Sequence, residues 1–212
     1  MKLPNREELI FYTIQFLILS ILFFVLYGLT NYLASKSQNH YSLYFEFEKN
    51  IPFLAPSIII YLSINLIFVL PVFYLTIPEM KHLSFAFSSI TILSCSIFYF
   101  FPTKLGWIRP GHVPNFEWIY SVLYSVEYPH NLFPSLHVAY SYLIFKILWP
   151  KTHLMEKILY RIWFFLLLSS VLFTHQHHLL DILGGIFFAE FGLKISNNWK
   201  WVWGNFFRTN RT

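Results

Sequence analysis

The chain has 212 residues, of which 56% are hydrophobic and only 12% are charged. A soluble domain of this length carries about 25% charged residues, so the composition excludes an ordinary soluble protein. It indicates one compact integral-membrane domain over residues 1–212. The formal net charge is +5, and the single cysteine excludes a disulfide framework within the chain.

Apolar runs along the chain approach or exceed the roughly 20 residues that a bilayer-spanning helix needs. We therefore predict an all-α fold, a bundle of six transmembrane helices. The predicted spans are residues 9–33, 53–77, 83–101, 134–149, 158–174 and 179–195. The first three follow from hydropathy alone. The last three are short and carry polar residues, so we expect them inside the bundle, where polar groups find partners.

The longest predicted loop, about residues 102–133, joins spans three and four. Within it, residues 115–127 start at a suitable N-cap, Asn115. One helical face then carries apolar side chains, namely Phe116, Ile119, Tyr120, Leu123 and Val126. The pattern predicts a short helix in the outer membrane interface, either covering what lies beneath it or serving as a plain connector.

Lysine and arginine are unevenly distributed between the predicted loops, and this bias predicts the orientation of the spans. With the N-terminus inside, the outer loops hold only Lys36, Lys49, Lys104 and Arg109. The inner segments hold Lys2, Arg6, Lys81, Lys151, Lys157, Arg161, Lys194, Lys200, Arg208 and Arg211. We therefore predict a multi-pass protein of the plasma (inner) membrane with both termini in the cytoplasm. The positive net charge follows from this topology and does not indicate nucleic-acid binding.

Three polar clusters reach the outer membrane face on this topology. They are TKLGWIRP (103–110), FPSLH (133–137) and HQHHLLD (175–181). Because the three are distant in sequence, their convergence at one depth indicates a site more strongly than any one of them does.

The last cluster contains Asp181, the only aspartate in the chain, four residues after His177. On the helix that starts span six, this spacing puts both side chains on one face. An aspartate behind a histidine fixes the ring tautomer and stabilises the imidazolium, as the orienting carboxylate of a catalytic triad does. The alternative is a buried ion pair that holds two helices together, although ionisable residues inside a membrane are functional candidates.

The second cluster places Pro134 and Ser135 at a helix start and His137 just inside the helix. Proline suits the first helical turn, and the free N–H groups there can bind an anion. A histidine beside such an anion could donate a proton to a leaving oxygen. A capped helix start with an interfacial histidine is the alternative.

The first cluster supplies Arg109, in a bend that it forms with Pro110 and Gly111. A guanidinium group matches the geometry of phosphate and can bind it through two hydrogen bonds. Lys104 could add a second positive charge. The alternative is that both are ordinary cations at the level of the lipid headgroups.

Together, the three clusters contain the groups that phosphoryl transfer through a histidine requires. One imidazole attacks phosphorus, another protonates the departing alkoxide, and cations hold the equatorial oxygens. This chemistry needs no metal ion and no cofactor.

The clusters resemble the three motifs of the type-2 phosphatidic acid phosphatase superfamily, which run K-x6-R-P, P-S-G-H and S-R-x5-H-x3-D. The chain has TKLGWIRP, PSLH and SVLFTHQHHLLD in the same order. Ser170 stands where the serine of the third motif falls. The resemblance covers about residues 98–190 by motif, and the six-span layout extends it to nearly the whole chain.

The resemblance implies a role for each matched residue. His177 is the nucleophile that forms a phosphohistidine, Asp181 orients it, and His137 is the general acid. Arg109 and Ser135 bind the phosphate of the substrate. The site of this superfamily faces outward, as the loop charges also predict.

Three positions depart from the motifs. Lys104 stands five residues before Arg109, whereas the motif has its lysine seven residues before the arginine, where this chain has Pro102. Leu136 replaces the glycine of the second motif, and Val171 replaces the phosphate-binding arginine of the third. Lys104 remains a candidate phosphate ligand despite its shifted position.

PSLH and HHLLDILGG are more similar to the lipid phosphotransferase branch, which includes inositol phosphorylceramide and sphingomyelin synthases. The superfamily resemblance as a whole predicts a phosphatase acting on a lipid phosphate in the membrane, and these two sequences make a phosphotransferase the alternative. The acceptor is water in the first case and a lipid or polyol hydroxyl in the second. His175 and His178, when protonated, would replace part of the missing positive charge.

Two non-catalytic readings stay open at the level of the sequence. The first is a metal or haem site built from His137, His175, His177 and His178, since histidine is a common metal ligand. The second is a structural membrane protein in which the His–Asp pair only joins helices.

Overall fold

The computed structural model describes residues 2–209, and side chains are described for residues 2–198. The chain is mostly helical. Its α-helices are α1 (Arg6–Ser35), α2 (Ile58–Leu62), α3 (Ile64–Ile67), α4 (Ile77–Phe100), α5 (Glu117–Val126), α6 (Leu136–Leu148), α7 (Leu154–Phe173) and α8 (Leu179–Thr209). Two short strands, β1 (Tyr41–Ser42) and β2 (Thr103–Lys104), pair in parallel between the loops that follow α1 and α4.

Among the described residues, α1 and α4 are the helices long and apolar enough to cross a membrane. At the start of α1, the Asn5 side chain accepts from the Glu8 N–H at 2.8 Å, and the Glu8 carboxylate accepts from the Asn5 N–H at 3.1 Å. In the most apolar 18-residue stretch of α1 no residue is buried. Large apolar side chains such as Ile21 and Phe24 are therefore exposed to the surroundings, as a lipid-facing helix requires.

Residues 53–77, which the sequence predicts as one span, do not form one continuous helix. The chain there is divided between α2, α3 and two flanking 3-10 turns, Ala55–Ser57 and Leu70–Phe73. Pro71 has no N–H to donate to the carbonyl of Ile67, and its ring crowds that carbonyl, so α3 ends at Ile67. Hydropathy detects the apolar run but not this break.

The short helix predicted in the long loop is present as α5, but it begins at Glu117 and not at Asn115. Asn115 has a φ of 66°, in the left-handed region that asparagine tolerates. It stands two residues before the first helical residue, so the N-cap position belongs to Phe116. Tyr120 and Leu123, on the predicted apolar face, are buried. The helix therefore packs this face against the protein.

Helices α6 and α8 pack closely near the ends that carry the polar clusters. A Cβ atom at Gly185 would lie 2.6 Å from the carbonyl oxygen of Ser135 and 2.9 Å from Val138 Cβ. Only a glycine permits this approach without a shift of the backbone. The contact brings the start of α6 beside the first turns of α8.

Two basic residues lie near the start of α4, and a third follows its end. At one end, Lys151 pairs with Glu79 at 2.8 Å and the Lys2 N–H donates to the carbonyl of Phe73 at 2.9 Å. Arg109 follows the other end of α4. Three of the basic residues that the sequence predicts on the inner side belong to the part of the chain whose side chains are not described, namely Lys200, Arg208 and Arg211.

Candidate active site

The HQHH segment is a tight reversal between α7 and α8. His175 has a φ of 55°, its N–H donates to Leu172 O at 2.9 Å, and the Gln176 N–H donates to Val171 O at 3.1 Å. These two bonds and the left-handed residue form a Schellman ending for α7. The His177 N–H also donates to Val171 O, at 3.0 Å. The turn fixes the backbone of His177 at the end of the bundle.

Asp181 lies in the first turn of α8 and is 1% exposed. Its Oδ2 accepts a hydrogen bond from the His178 N–H at 2.7 Å, so it caps the helix start. The same oxygen lies 3.5 Å from His177 Nδ1. His177 Nδ1 has no hydrogen-bond partner among the described residues, so the nearest acceptor is the Asp181 carboxylate at ion-pair distance. The predicted His–Asp pair is present. Asp181 approaches Nδ1 of His177, so the other ring nitrogen, Nε2, is not bound to Asp181.

Ser135 is the N-cap of α6, and it joins α6 to α8. Its hydroxyl accepts from the Val138 N–H at 3.4 Å, and its own N–H donates to the carbonyl of Asp181 at 3.0 Å. His137 follows in the first turn of the helix. The centroids of the His137 and His177 rings are 6.0 Å apart.

Arg109 reaches the same place from the loop after α4. Its Nη1 donates to the carbonyl of Glu127, and its Nη2 donates to Gln176 Oε1 at 2.9 Å. The guanidinium carbon lies 4.7 Å from the centroid of the Tyr124 ring. Burial lowers the pKa of Arg109 from its usual range, but a guanidinium stays charged in proteins. The first predicted cluster is thus hydrogen-bonded to the third.

A small polar cavity of about 30 Å³ lies between these side chains. The charged, imidazole and amide side chains that line it are Arg109, Glu127, Asn131, His137, Gln176 and His177, and aromatic and leucine side chains complete the lining. The space suffices for about two water molecules, so a phosphate group requires the cavity to open. Arg109 Nε is buried without a partner among the described residues and is available for a polar ligand.

An apolar cleft of about 420 Å³ adjoins the polar cavity. Its walls are formed by α1, α2, α3, α4 and α6, with side chains that include Phe16, Leu19, Phe68, Leu83 and Phe87. Glu127 and His137 line both the cleft and the polar cavity. Phe23 and Leu136 also line both, so the two spaces meet at these four side chains.

Two of the predicted phosphate ligands are not in the lining of the polar cavity. Lys104 is exposed and belongs to β2, where its backbone pairs with Ser42. The hydroxyl of Ser135 is buried in its capping bond. Of the predicted residues, Arg109, His137 and His177 line the cavity, and Asp181 lies beside His177. Lys104 stands two residues away from the position of the motif's lysine, and in the structure it lies outside this cavity.

His175 and His178 face away from the cavity, on either side of Trp107. The ring of Trp107 stacks on His175 at 4.3 Å and on His178 at 4.0 Å between centroids. His178 Nε2 accepts from the Gly106 N–H at 3.0 Å, so this nitrogen carries no proton. Burial also lowers the pKa of His178. The expectation that His178 supplies positive charge is therefore wrong, and the four histidines of the metal-binding reading lie in two separate places.

Glu48 holds this stacked group from the loop after α1. Its side chain is fully buried and accepts hydrogen bonds from the N–H groups of Phe45 at 2.8 Å and Leu179 at 2.9 Å. His178 Nδ1 donates to Glu48 Oε2 at 3.1 Å. One carboxylate thus fixes the loop after α1 to the start of α8.

Glu48→Ala is expected to destabilise the protein by about 1–3 kcal/mol, because it removes a fully buried carboxylate and leaves its three hydrogen-bond donors without an acceptor. The measurement is the midpoint of thermal unfolding of the purified protein in detergent. Glu46→Ala is the matched control, because Glu46 is exposed and pairs only with Lys49 at 2.7 Å. Equal midpoints for the two variants would contradict the role given to Glu48.

The residues of the cavity region that were not predicted from the sequence include Tyr61, Glu127 and Gln176. Burial raises the pKa of the Glu127 carboxyl, and the charge of His177, the hydrogen bond from Tyr61 and the charge of Arg109 oppose that rise. A glutamate within an apolar helical pattern was a usable signal for Glu127. Tyr61 is one of 14 tyrosines and gave no such signal.

Comparison of the chain with protein-family models, with curated proteins and with solved structures finds no match. The superfamily resemblance therefore remains a prediction from the three motifs. The function has to be inferred from the residues around the cavity.

Proposed function

We propose that the protein is an integral-membrane lipid phosphatase of the type-2 phosphatidic acid phosphatase superfamily, working through a phosphohistidine on His177. The observation that supports it is the meeting of Arg109, His137 and His177 at one buried polar cavity, with Asp181 at 3.5 Å from His177 Nδ1. These residues come from three segments that are distant in sequence. A His–Asp pair that only joins two helices would require neither the third segment nor a cationic side chain.

In the first half of the proposed reaction, His177 Nε2 attacks phosphorus and the ester P–O bond breaks. His137 gives its proton to the departing alkoxide, which leaves as the lipid alcohol. Asp181 stabilises the positive charge that develops on the His177 ring. The guanidinium of Arg109 stabilises the negative charge on the phosphoryl oxygens.

In the second half, His137 acts as a base, because it has lost its proton. It accepts a proton from a water molecule, whose oxygen attacks phosphorus while the P–N bond to His177 breaks. Inorganic phosphate leaves, and both histidines return to their starting protonation states. No redox change occurs.

The apolar cleft beside the cavity supports a substrate with a hydrocarbon tail. It is more than ten times larger than the polar cavity, about 420 Å³ against 30 Å³, and it meets that cavity at His137. Apolar surface gains free energy when it leaves water, at about 25 cal/mol per Å². A lipid phosphate with its head in the polar cavity and its tail in the cleft satisfies both environments.

The second candidate function is a lipid phosphotransferase, which the PSLH and HHLLDILGG sequences favour. His177 Nε2 then forms a P–N bond to the phosphoryl head group while the P–O bond to the lipid alcohol breaks, and an alcohol replaces water as the acceptor. The proton of that hydroxyl again goes to His137 and the product is a new phosphodiester. For both candidates we infer a six-span protein with cytoplasmic termini and a site on the extracytoplasmic side.

The test is incubation of the purified protein with labelled lipid phosphates and, in parallel, with phospholipids labelled in the phosphoryl head group, each with and without alcohol acceptors. Free phosphate identifies the phosphatase, and a labelled phosphodiester that forms only with acceptor identifies the phosphotransferase. Both require an acid-labile, alkali-stable phosphoenzyme after rapid quenching and inhibition by vanadate, which imitates the five-coordinate transition state. Turnover lost with chelators and restored by a stoichiometric metal would instead favour the metal-binding reading. The absence of both products and phosphoenzyme would overturn the proposal.

A further inference from the structure

Glu127, Tyr61 and His137 form a chain of polar contacts at the boundary between the polar cavity and the apolar cleft. The Tyr61 hydroxyl lies 3.0 Å from Glu127 Oε2 and 3.3 Å from His137 Nδ1. The Tyr61 and His137 rings stack with 4.2 Å between their centroids. Tyr61 is completely buried, so water does not compete for its hydroxyl.

The direction of these contacts follows from the number of hydrogens. A hydroxyl has one hydrogen, and the Glu127 carboxylate can only accept it. The Tyr61 oxygen therefore accepts from His137 Nδ1–H. This fixes the tautomer of His137 and leaves Nε2 as the nitrogen that can exchange a proton with a substrate.

The main chain of Glu127 strengthens this arrangement. Its carbonyl oxygen accepts the hydrogen bond from Arg109 Nη1, so the residue is held from both its backbone and its side chain. The carboxylate lines the same cavity as His137, His177 and Arg109. The position of Glu127 is thus fixed in part by Arg109, the residue that is proposed to bind phosphate.

We propose that Glu127, acting through the Tyr61 hydroxyl, positions His137 and stabilises its protonated form, so that each of the two histidines has its own carboxylate. Asp181 serves His177 directly, and Glu127 serves His137 through one hydroxyl. Glu127 is a positioning residue in this scheme, and the inference rests on the proposed function of His137 as the general acid. The three residues also explain why a half-buried glutamate lies at the end of α5.

The test compares two phosphate monoesters that share one hydrocarbon tail, one with an alkyl alcohol and one with a nitrophenol as leaving group. The alkyl ester needs a general acid, because its alkoxide is strongly basic, whereas the nitrophenolate leaves without a proton. Glu127→Gln and Tyr61→Phe are each expected to lower kcat/KM for the alkyl ester on the order of 10²-fold. For the nitrophenyl ester, kcat/KM is expected to stay near that of the unmodified protein.

The matched control is Glu117→Gln, the same substitution at the exposed start of α5, where the carboxylate lies 3.7 Å from His112. It is expected to leave both esters unaffected. The double variant Glu127→Gln, Tyr61→Phe is expected to lose little more than either single variant, because both act through His137.

Equal losses on the two esters would assign Glu127 a structural role and overturn the inference, as would unchanged turnover of the alkyl ester. These outcomes are separate from failure of the proposed function. That failure is read in the unmodified protein as the absence of a phosphoenzyme with either ester. A phosphoenzyme in the unmodified protein together with equal losses would leave the proposed function intact and reject the inference alone.

Discussion

His177→Ala is expected to lower kcat for hydrolysis of a lipid phosphate on the order of 10⁴-fold and to abolish the phosphoenzyme. The substitution removes the imidazole that lines the polar cavity and lies 3.5 Å from the Asp181 carboxylate. Alanine cannot form a covalent intermediate, and its methyl group leaves the Asp181 carboxylate without the ring beside it. The measurement is single-turnover kinetics with a labelled lipid phosphate, with acid and alkali quenching in parallel.

His175→Asn is the matched control for this experiment. Residue 175 has a φ of 55°, and asparagine tolerates this left-handed conformation, so the reversal after α7 is preserved. The His175 ring stacks on Trp107 outside the polar cavity, so turnover and the phosphoenzyme are expected to remain. If His177→Ala kept its phosphoenzyme, or if it only lowered thermal stability, the nucleophile would be another residue or the pair would be structural.

The three polar clusters could be predicted from the sequence because their chemistry depends on residue type and short spacing. The four-residue step from His177 to Asp181 is preserved by the start of α8, where Asp181 caps the helix. The convergence of the clusters could be predicted because each stands at an end of an apolar run, and the predicted topology puts these ends at one membrane face. The bond from Arg109 to Gln176 joins two of them directly.

The remaining features depend on contacts between distant residues, which spacing does not report. The second apolar run gave a uniform hydropathy signal, yet Pro71 divides it and α3 ends at Ile67. This broken segment brings Tyr61 over His137, a contact across 76 positions of the chain. Lys104 was chosen for its charge alone, and its backbone pairing with Ser42 holds it outside the polar cavity. Tertiary packing decided each of these positions.

The second large effect is expected for Arg109→Ala, with kcat/KM lowered on the order of 10³-fold. Among the described residues that line the polar cavity, Arg109 has the permanent positive charge. Where the third motif has an arginine, this chain has Val171, which is uncharged and completely buried. No second cation of the cavity lining can therefore compensate for the loss.

Arg109→Lys is expected to be nearly as inactive as Arg109→Ala, because one ammonium cannot hold the Glu127 carbonyl, the Gln176 side chain and two phosphoryl oxygens together. Lys104→Ala is the matched control and is expected to leave kcat/KM almost unchanged. The measurement is kcat and KM for a lipid phosphate, with thermal unfolding to confirm that each variant folds. Because Arg109 acts on charge that develops in the transition state, kcat should fall more than KM rises. If Lys104→Ala lost as much activity as Arg109→Ala, phosphate would be bound at the exposed loop and the polar cavity would not be the active site.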